Sequence, residues 1–161
     1  MIAIHWLTAL LVVMAWFTAE GGRQVRAEPP LLHFTVGMAI LLLMAPRLLA
    51  RWTRGTPRVE DPQGGWMELA ARAGHSIFYL LLIALPLTGW YAASRMGIPV
   101  TVLGMTLPII ATPVEGWPGL IAELHENGGN LLLILSGLHA LIALWHQFVM
   151  KDRTLERMNP L

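Results

Sequence analysis

The chain's 161 residues suit one domain, and only 13% of them are charged against 55% hydrophobic, about half the charged share of a soluble domain. A formal net charge of +1, with no basic run interleaved with aromatics, gives no sign of nucleic-acid binding, so no nucleic-acid partner is expected. Cysteine is absent, which excludes disulfides, thiolate zinc sites, iron–sulfur clusters and covalently attached c-type haem, so a metal would have to be held by His, Met, carboxylate or backbone oxygen.

A membrane-spanning helix needs about 20 apolar residues, and four stretches approach or exceed that length. The first covers residues 2–19 and closes at Glu20-Gly21-Gly22. It lacks a basic n-region, and Ala19-Glu20 is a poor cleavage context, so it reads as a retained span. The second covers residues 31–50; it follows Pro29-Pro30, a helix-start signal, and carries Pro46 near its exit. The third covers residues 69–94 and contains Pro86 and Gly89, which a bundle in lipid tolerates. Residues 98–114 are apolar too, but Pro99, Gly104, Pro108 and Pro113 break them into an ordered, interfacial loop. The fourth span covers residues 126–150. The expectation is an all-α, integral membrane four-helix bundle in one domain over residues 1–161, with membrane lipid around it.

Basic residues set the orientation. Arg47, Arg51, Arg54, Arg58 and Arg72 lie between spans two and three, and Lys151, Arg153 and Arg157 lie in the tail; the other side has Arg23, Arg26 and Arg95. Eight against three places both termini and the middle loop in the cytoplasm. Trp16, Trp52, Trp66, Trp90 and Trp145 fall near span ends, as an aromatic belt or as core aromatics. The middle loop, with Gly55, Pro57, Pro62, Gly64 and Gly65, is the most linker-like region.

Six histidines, His5, His33, His75, His125, His139 and His146, all lie in a span or within a turn of one. A lone intramembrane His is often a packing residue bonded to a neighbouring helix; six in so small a membrane protein point to function. His125 and His139 share one helix face and lie roughly 21 Å apart along the axis. His146 follows on nearly the same face, about 10 Å deeper. His33 enters span two level with His125. His5 precedes Ala19 by the same sequence interval that separates His125 from His139, and it falls level with His139. His75, counted back from Ser94, falls near His146.

Two imidazoles from facing helices at one depth are what a b-type haem needs, and the pairs are His33–His125 and His5–His139. Tetrahedral zinc would want four ligands at one level. Gly37, Gly128, Gly129 and Gly137 offer close approach for a porphyrin, or ordinary small-residue helix packing. The third pair, His75 and His146, suits a quinone head group at the cytoplasmic surface, where imidazole both hydrogen-bonds a carbonyl and exchanges protons. Ser76 adds a hydroxyl beside His75, and Arg72 lies one turn before Ser76. The alternative for His75 and His146 is a hydrogen bond to each other or to a haem propionate.

Ile4-His5-Trp6-Leu7, Gly74-His75 with Ala84-Leu85-Pro86-Leu87-Thr88-Gly89, the loop from Gly104 to Pro108, Gly137-Leu138-His139-Ala140 and the tail Lys151-Asp152-Arg153-Thr154-Leu155-Glu156-Arg157-Met158 together resemble the bacterial cytochrome b561 family. The resemblance implies a multi-pass dihaem cytochrome of the bacterial inner membrane, with two haem b on His5/His139 and His33/His125 and with His75 and His146 near an inner quinone site. It also implies a superoxide oxidase activity that takes electrons from superoxide and reduces ubiquinone, or service as the cytochrome b subunit of a dehydrogenase or hydrogenase, docked to a redox partner protein. From another class, a His-lined metal or proton transporter would use the same layers. Glu20, Glu28, Glu115, Glu123 and Glu126 outnumber the three arginines on the outer side, so steering of an anion there needs a local cluster at Arg23, Arg26 or Arg95.

Overall fold

The computed structural model describes residues 2–19, 29–54 and 65–151. Four α-helices carry the described chain: α1 (Ile2–Phe17), α2 (Leu31–Arg54), α3 (Trp66–Arg95) and α4 (Leu120–Trp145), the last continuing into a π-helical turn (His146–Met150). Each helix packs on its neighbour in sequence, and α4 closes the bundle against α1. The helices α2, α3 and α4 with its π turn are long and apolar enough to cross a membrane; α1, at 16 residues, is apolar but shorter.

Apolar periodicity is weak in α1, α3 and α4, which are apolar nearly all round, as lipid allows, and clearer in α2. Leu10, Phe17, Leu42, Leu80, Leu141 and Phe148 are all exposed. An outer surface of that kind would drive aggregation in water; a bilayer is the solvent that accepts it. The interior is a small cluster to which every helix contributes: Val12 from α1, Val36, Ile40 and Met44 from one face of α2, Leu82 and Leu85 from α3, and Leu132 from α4. Pro46 and Pro86 are accommodated inside their helices, so α2 runs beyond the expected end at residue 50 and reaches Arg54. Helix α4 starts at Leu120 instead of near residue 126, with Glu123 in its first turn where the helix dipole favours an anion.

Residues 98–114 form no helix. Strands β1 (Thr101–Val102) and β2 (Met105–Thr106) make a short antiparallel hairpin with Thr101 opposite Thr106. Its two turn residues, Leu103 and Gly104, both have positive φ (49° and 83°), the signature of a tight primed turn. The loop is pinned to the end of α3: Trp90 Nε1 donates to the Pro108 carbonyl at 3.1 Å, Arg95 donates to the Thr112 carbonyl at 3.0 Å, and the Ile110 amide donates to the buried Ser94 hydroxyl at 3.3 Å. Arg95 is therefore engaged with the loop. Ala93, Ile98 and Val100 build a second apolar cluster beneath it, flanked by Phe34 and Trp90. This end of the bundle is called the hairpin end and the opposite one the terminal end. Arg23, Arg26, Glu20, Glu28, Arg58, Arg153, Arg157 and the middle-loop glycines and prolines lie outside the described residues, apart from Gly65.

Candidate haem sites

His33 enters in the first turn of α2, immediately after Pro29-Pro30, and His125 in the second turn of α4. Their ring centroids are 5.8 Å apart and the planes nearly perpendicular, at 88°. Each ring is fixed by its Nδ1. That of His33 donates at 2.9 Å to the Ala15 carbonyl, one of the last four of α1, which also accepts from Thr18 Oγ1 at 3.3 Å. That of His125 donates to the Leu85 carbonyl at 2.9 Å, with Thr88 Oγ1 3.4 Å away. A carbonyl can only accept, so both Nδ1 atoms carry the proton and both Nε2 atoms keep a free lone pair. This is the orientation that outer hydrogen bonds impose on metal-ligating histidines.

The pair faces a largely apolar cavity of about 540 Å³ whose wall also includes Gly37, Gly129, Trp90 and Asn130. Asn130 accepts a hydrogen bond from Trp16 Nε1 at 3.0 Å, which ties α1 to α4 at the cavity's edge. A Cβ added to Gly37 or Gly129 would meet no atom within 4 Å, so both glycines border open space. Two imidazoles on opposite faces of one metal ion, with bonds of about 2 Å, place their ring centres roughly 6 Å apart. The separation, the fixed tautomers and the apolar slot all fit a bis-histidine haem.

Gly89 is the residue of this site that sequence reasoning missed. In the sequence it is only a helix-weakening position, yet a Cβ there would stand 2.7 Å from His125 Cε1. Among the glycines singled out from sequence, Gly128 also has a packing role, with Leu85 Cδ2 2.6 Å from where its Cβ would be, whereas Gly137 has open space around it.

At the terminal end, His139 stands among three rings: His5 at 6.4 Å, His75 at 5.9 Å and Phe78 at 5.4 Å between centroids. The His5–His139 separation again fits two ligands of one metal. His75 corrects the depth count, which matches it with His146. That count starts from the expected end of span three at Ser94, but Gly89, in contact with His125, sets the true register. The sequence interval from Gly89 back to His75 along α3 equals that from His125 to His139 along α4, so the two histidines fall in one layer. His75 Nδ1 donates to the Ala71 carbonyl at 2.6 Å, leaving its Nε2 lone pair free. Ser76 donates to the Arg72 carbonyl at 2.9 Å, and Arg72 forms an ion pair with Glu68, so both find partners on α3 itself. His146 begins the π-helical turn, a distortion frequent at functional sites.

A second residue overlooked by sequence reasoning is Arg47, which the sequence presents only as a charge. It follows His33 on α2 by that same interval, hence lies in the layer of His139. Its Nη2 donates to His5 Nδ1 at 3.3 Å, and its guanidinium lies 5.8 Å from the centre of the Tyr79 ring, over which Arg51 also sits at 5.2 Å.

The family described as prokaryotic cytochrome b561 matches this chain over residues 1–160. A protein of Yersinia pestis described as probable superoxide oxidase CybB is 36% identical over 163 residues, covering 99% of this chain and 93% of the relative. Cytochrome b561 homologs 1 and 2 of Escherichia coli K12 are 31% and 30% identical, covering 99% and 97% of this chain and 94% and 87% of the relatives. The apolar helices make this a multi-pass membrane protein, and the chain belongs to the prokaryotic cytochrome b561 family of membrane electron-transfer proteins that bind haem b.

Proposed function

We propose that this chain is a four-span, dihaem b-type cytochrome of the bacterial inner membrane that carries electrons from superoxide at the hairpin end to ubiquinone at the terminal end, with both termini cytoplasmic. The observation that carries the reading is the repetition of one device: facing imidazoles 5.8 Å apart in one layer and 6.4 Å apart in the other. The layers are separated by the rise from His125 to His139, roughly 21 Å along α4. His33 and His125 would hold one haem iron, His5 and His139 the other. Haem b, when bound, supplies reversible one-electron exchange.

The chain's own residues supply the rest. The backbone carbonyls of Ala15 and Leu85 keep His33 and His125 in the tautomer that presents Nε2. The apolar wall of the His33–His125 cavity would shield a bound haem from water, an environment that favours its less charged, reduced form. At the terminal end His75, in the His139 layer, acts as hydrogen-bond partner and proton donor to a quinone oxygen, with Ser76 and Arg72 on its own helix, and His146, about 10 Å beyond His139 along the α4 axis, exchanges protons with the terminal side. Two superoxide ions release one electron each and leave as dioxygen; one ubiquinone takes up both electrons with two protons and becomes ubiquinol. The relative described as a probable superoxide oxidase supports the choice of donor.

The test is superoxide-driven reduction of a soluble ubiquinone by the purified protein. Formation of one quinol for two superoxide ions consumed is expected. Haems that are reducible by dithionite, in a protein that forms no quinol from superoxide, would leave an electron carrier serving a protein partner. A preparation without a b-type spectrum, after growth with ample haem, would overturn the whole reading.

A further inference from the structure

Arg47 is a cation on an apolar helix with most of its hydrogen-bonding capacity unused. Its Nε and Nη1 are buried and have no hydrogen-bond partner among the described residues. A guanidinium is a planar cation with five N–H donors and no acceptor. The Tyr79 ring holds it at 5.8 Å and limits its movement. The acidic side chains among the described residues are elsewhere: Glu68 pairs with Arg72, and Glu115, Glu123 and Glu126 belong to the hairpin end. A half-buried guanidinium with two buried nitrogens unpartnered among the described residues calls for an anion, and its planar fork matches a carboxylate in two-point contact.

Its one polar contact among the described residues sharpens this. Arg47 Nη2 donates to His5 Nδ1 at 3.3 Å, which requires Nδ1 to be the unprotonated nitrogen. A neutral imidazole that binds iron through Nε2 carries its proton on Nδ1, and two donors cannot face each other. Ligation by His5 Nε2 therefore releases Arg47 Nη2 as well, and the whole fork becomes available beside the ligand.

We propose that Arg47 binds a haem propionate at the His5–His139 site, pairing a carboxylate with Nε and the terminal amino groups. This rests on the reading of His5 and His139 as haem ligands. Arg47 then has two effects. It selects the free-acid form of the cofactor, and its positive charge favours the reduced iron and raises the potential of this haem relative to a variant lacking it.

The test reconstitutes the full-length haem-free chain with haem b or with haem b dimethyl ester, whose propionates cannot ionise. Wild type is expected to hold the ester at the His5–His139 site at least about tenfold more weakly than the free acid, the worth of one charged hydrogen bond. In Arg47→Leu and Arg47→Gln the two forms are expected to bind alike, with restoration in Arg47→Lys. In holo-protein made in cells, the midpoint potential of this haem is expected to fall in Arg47→Gln while that of the His33–His125 haem stays constant. Equal binding of acid and ester by wild type overturns the proposal without calling on any variant. So does an acid preference retained in Arg47→Gln. A wild type that takes up a single haem, with none lost in His5→Ala, overturns the ligand reading and the proposal together; two haems and no ester penalty overturn the proposal alone.

Discussion

Gly89 of α3 presses its backbone against the imidazole of His125 on α4, and the 2.7 Å from its would-be Cβ to His125 Cε1 leaves no room for any other residue. That contact holds the ring within reach of the Leu85 carbonyl and aligns α3 with α4. Gly89→Ala is expected to push the ring off its hydrogen bond, because ring and carbonyl are both held and neither is a flexible chain end. The expected result is loss of the haem on His33 and His125, retention of the other, and a stability loss of about 1–3 kcal/mol typical of overpacking. Gly128→Ala is the contrast: its Cβ meets the end of the Leu85 side chain, which can rotate, so both haems are expected to remain. Pyridine haemochromogen counts per chain decide both cases.

The ligand pairs make a second set of expectations. His33→Ala and His125→Ala should each remove the haem at the hairpin end and spare the other. His5→Ala and His139→Ala should do the reverse. The structure adds a sharper question, since His139 has both His5 at 6.4 Å and His75 at 5.9 Å. With His5 as the ligand, His75→Ala keeps two low-spin haems. A five-coordinate, high-spin signal in His75→Ala would instead make His75 the partner of His139. Low-temperature electron paramagnetic resonance of the oxidised variants separates the two.

Much of this is legible in the chain. Apolar length alone marks the helices, and proline and glycine mark residues 98–114 as a loop. The spacing of His125 and His139 gives two layers, because helix rise and turn are nearly invariant. What the chain hides is register between helices. Ser94 looks like a natural reference for α3, but a helix of 30 residues is about 45 Å long, more than a bilayer's apolar thickness of about 30 Å, so its end does not mark the boundary. A better ruler is present: His33 to Arg47, Gly89 to His75 and His125 to His139 cover one and the same interval, repeated on three helices. Arg47 is hidden for a different reason. A basic residue near a span end reads as an orientation signal, and only packing against Tyr79 and His5 shows the guanidinium turned inward.

The terminal-end layer supplies the last expectation. His75 and His146 are the histidines left over once four ligands are assigned, which makes them the candidate quinone partners. His75 has Nδ1–H tied to the Ala71 carbonyl, so its Nε2 can accept from a reduced quinone oxygen or, once protonated, donate to a quinone carbonyl. Its ring lies 5.9 Å from that of His139, so a quinone on His75 would be close to the proposed haem ligand. Positioned acid–base groups contribute about 10²- to 10⁴-fold in rate. His75→Ala is therefore expected to keep both haems, still be reduced from the hairpin end by superoxide, and pass electrons to quinone at least about 100-fold more slowly. His146→Ala should behave alike. Ser76→Ala and Arg72→Gln should have small effects, since the Ser76 hydroxyl and the Arg72 guanidinium are engaged on their own helix. Stopped-flow spectra give haem reduction and haem reoxidation as separate phases, and only the second is expected to slow. Normal reoxidation in both His75→Ala and His146→Ala would move the quinone away from the terminal end, and slowing of the first phase alone would make the two histidines part of the electron entry path.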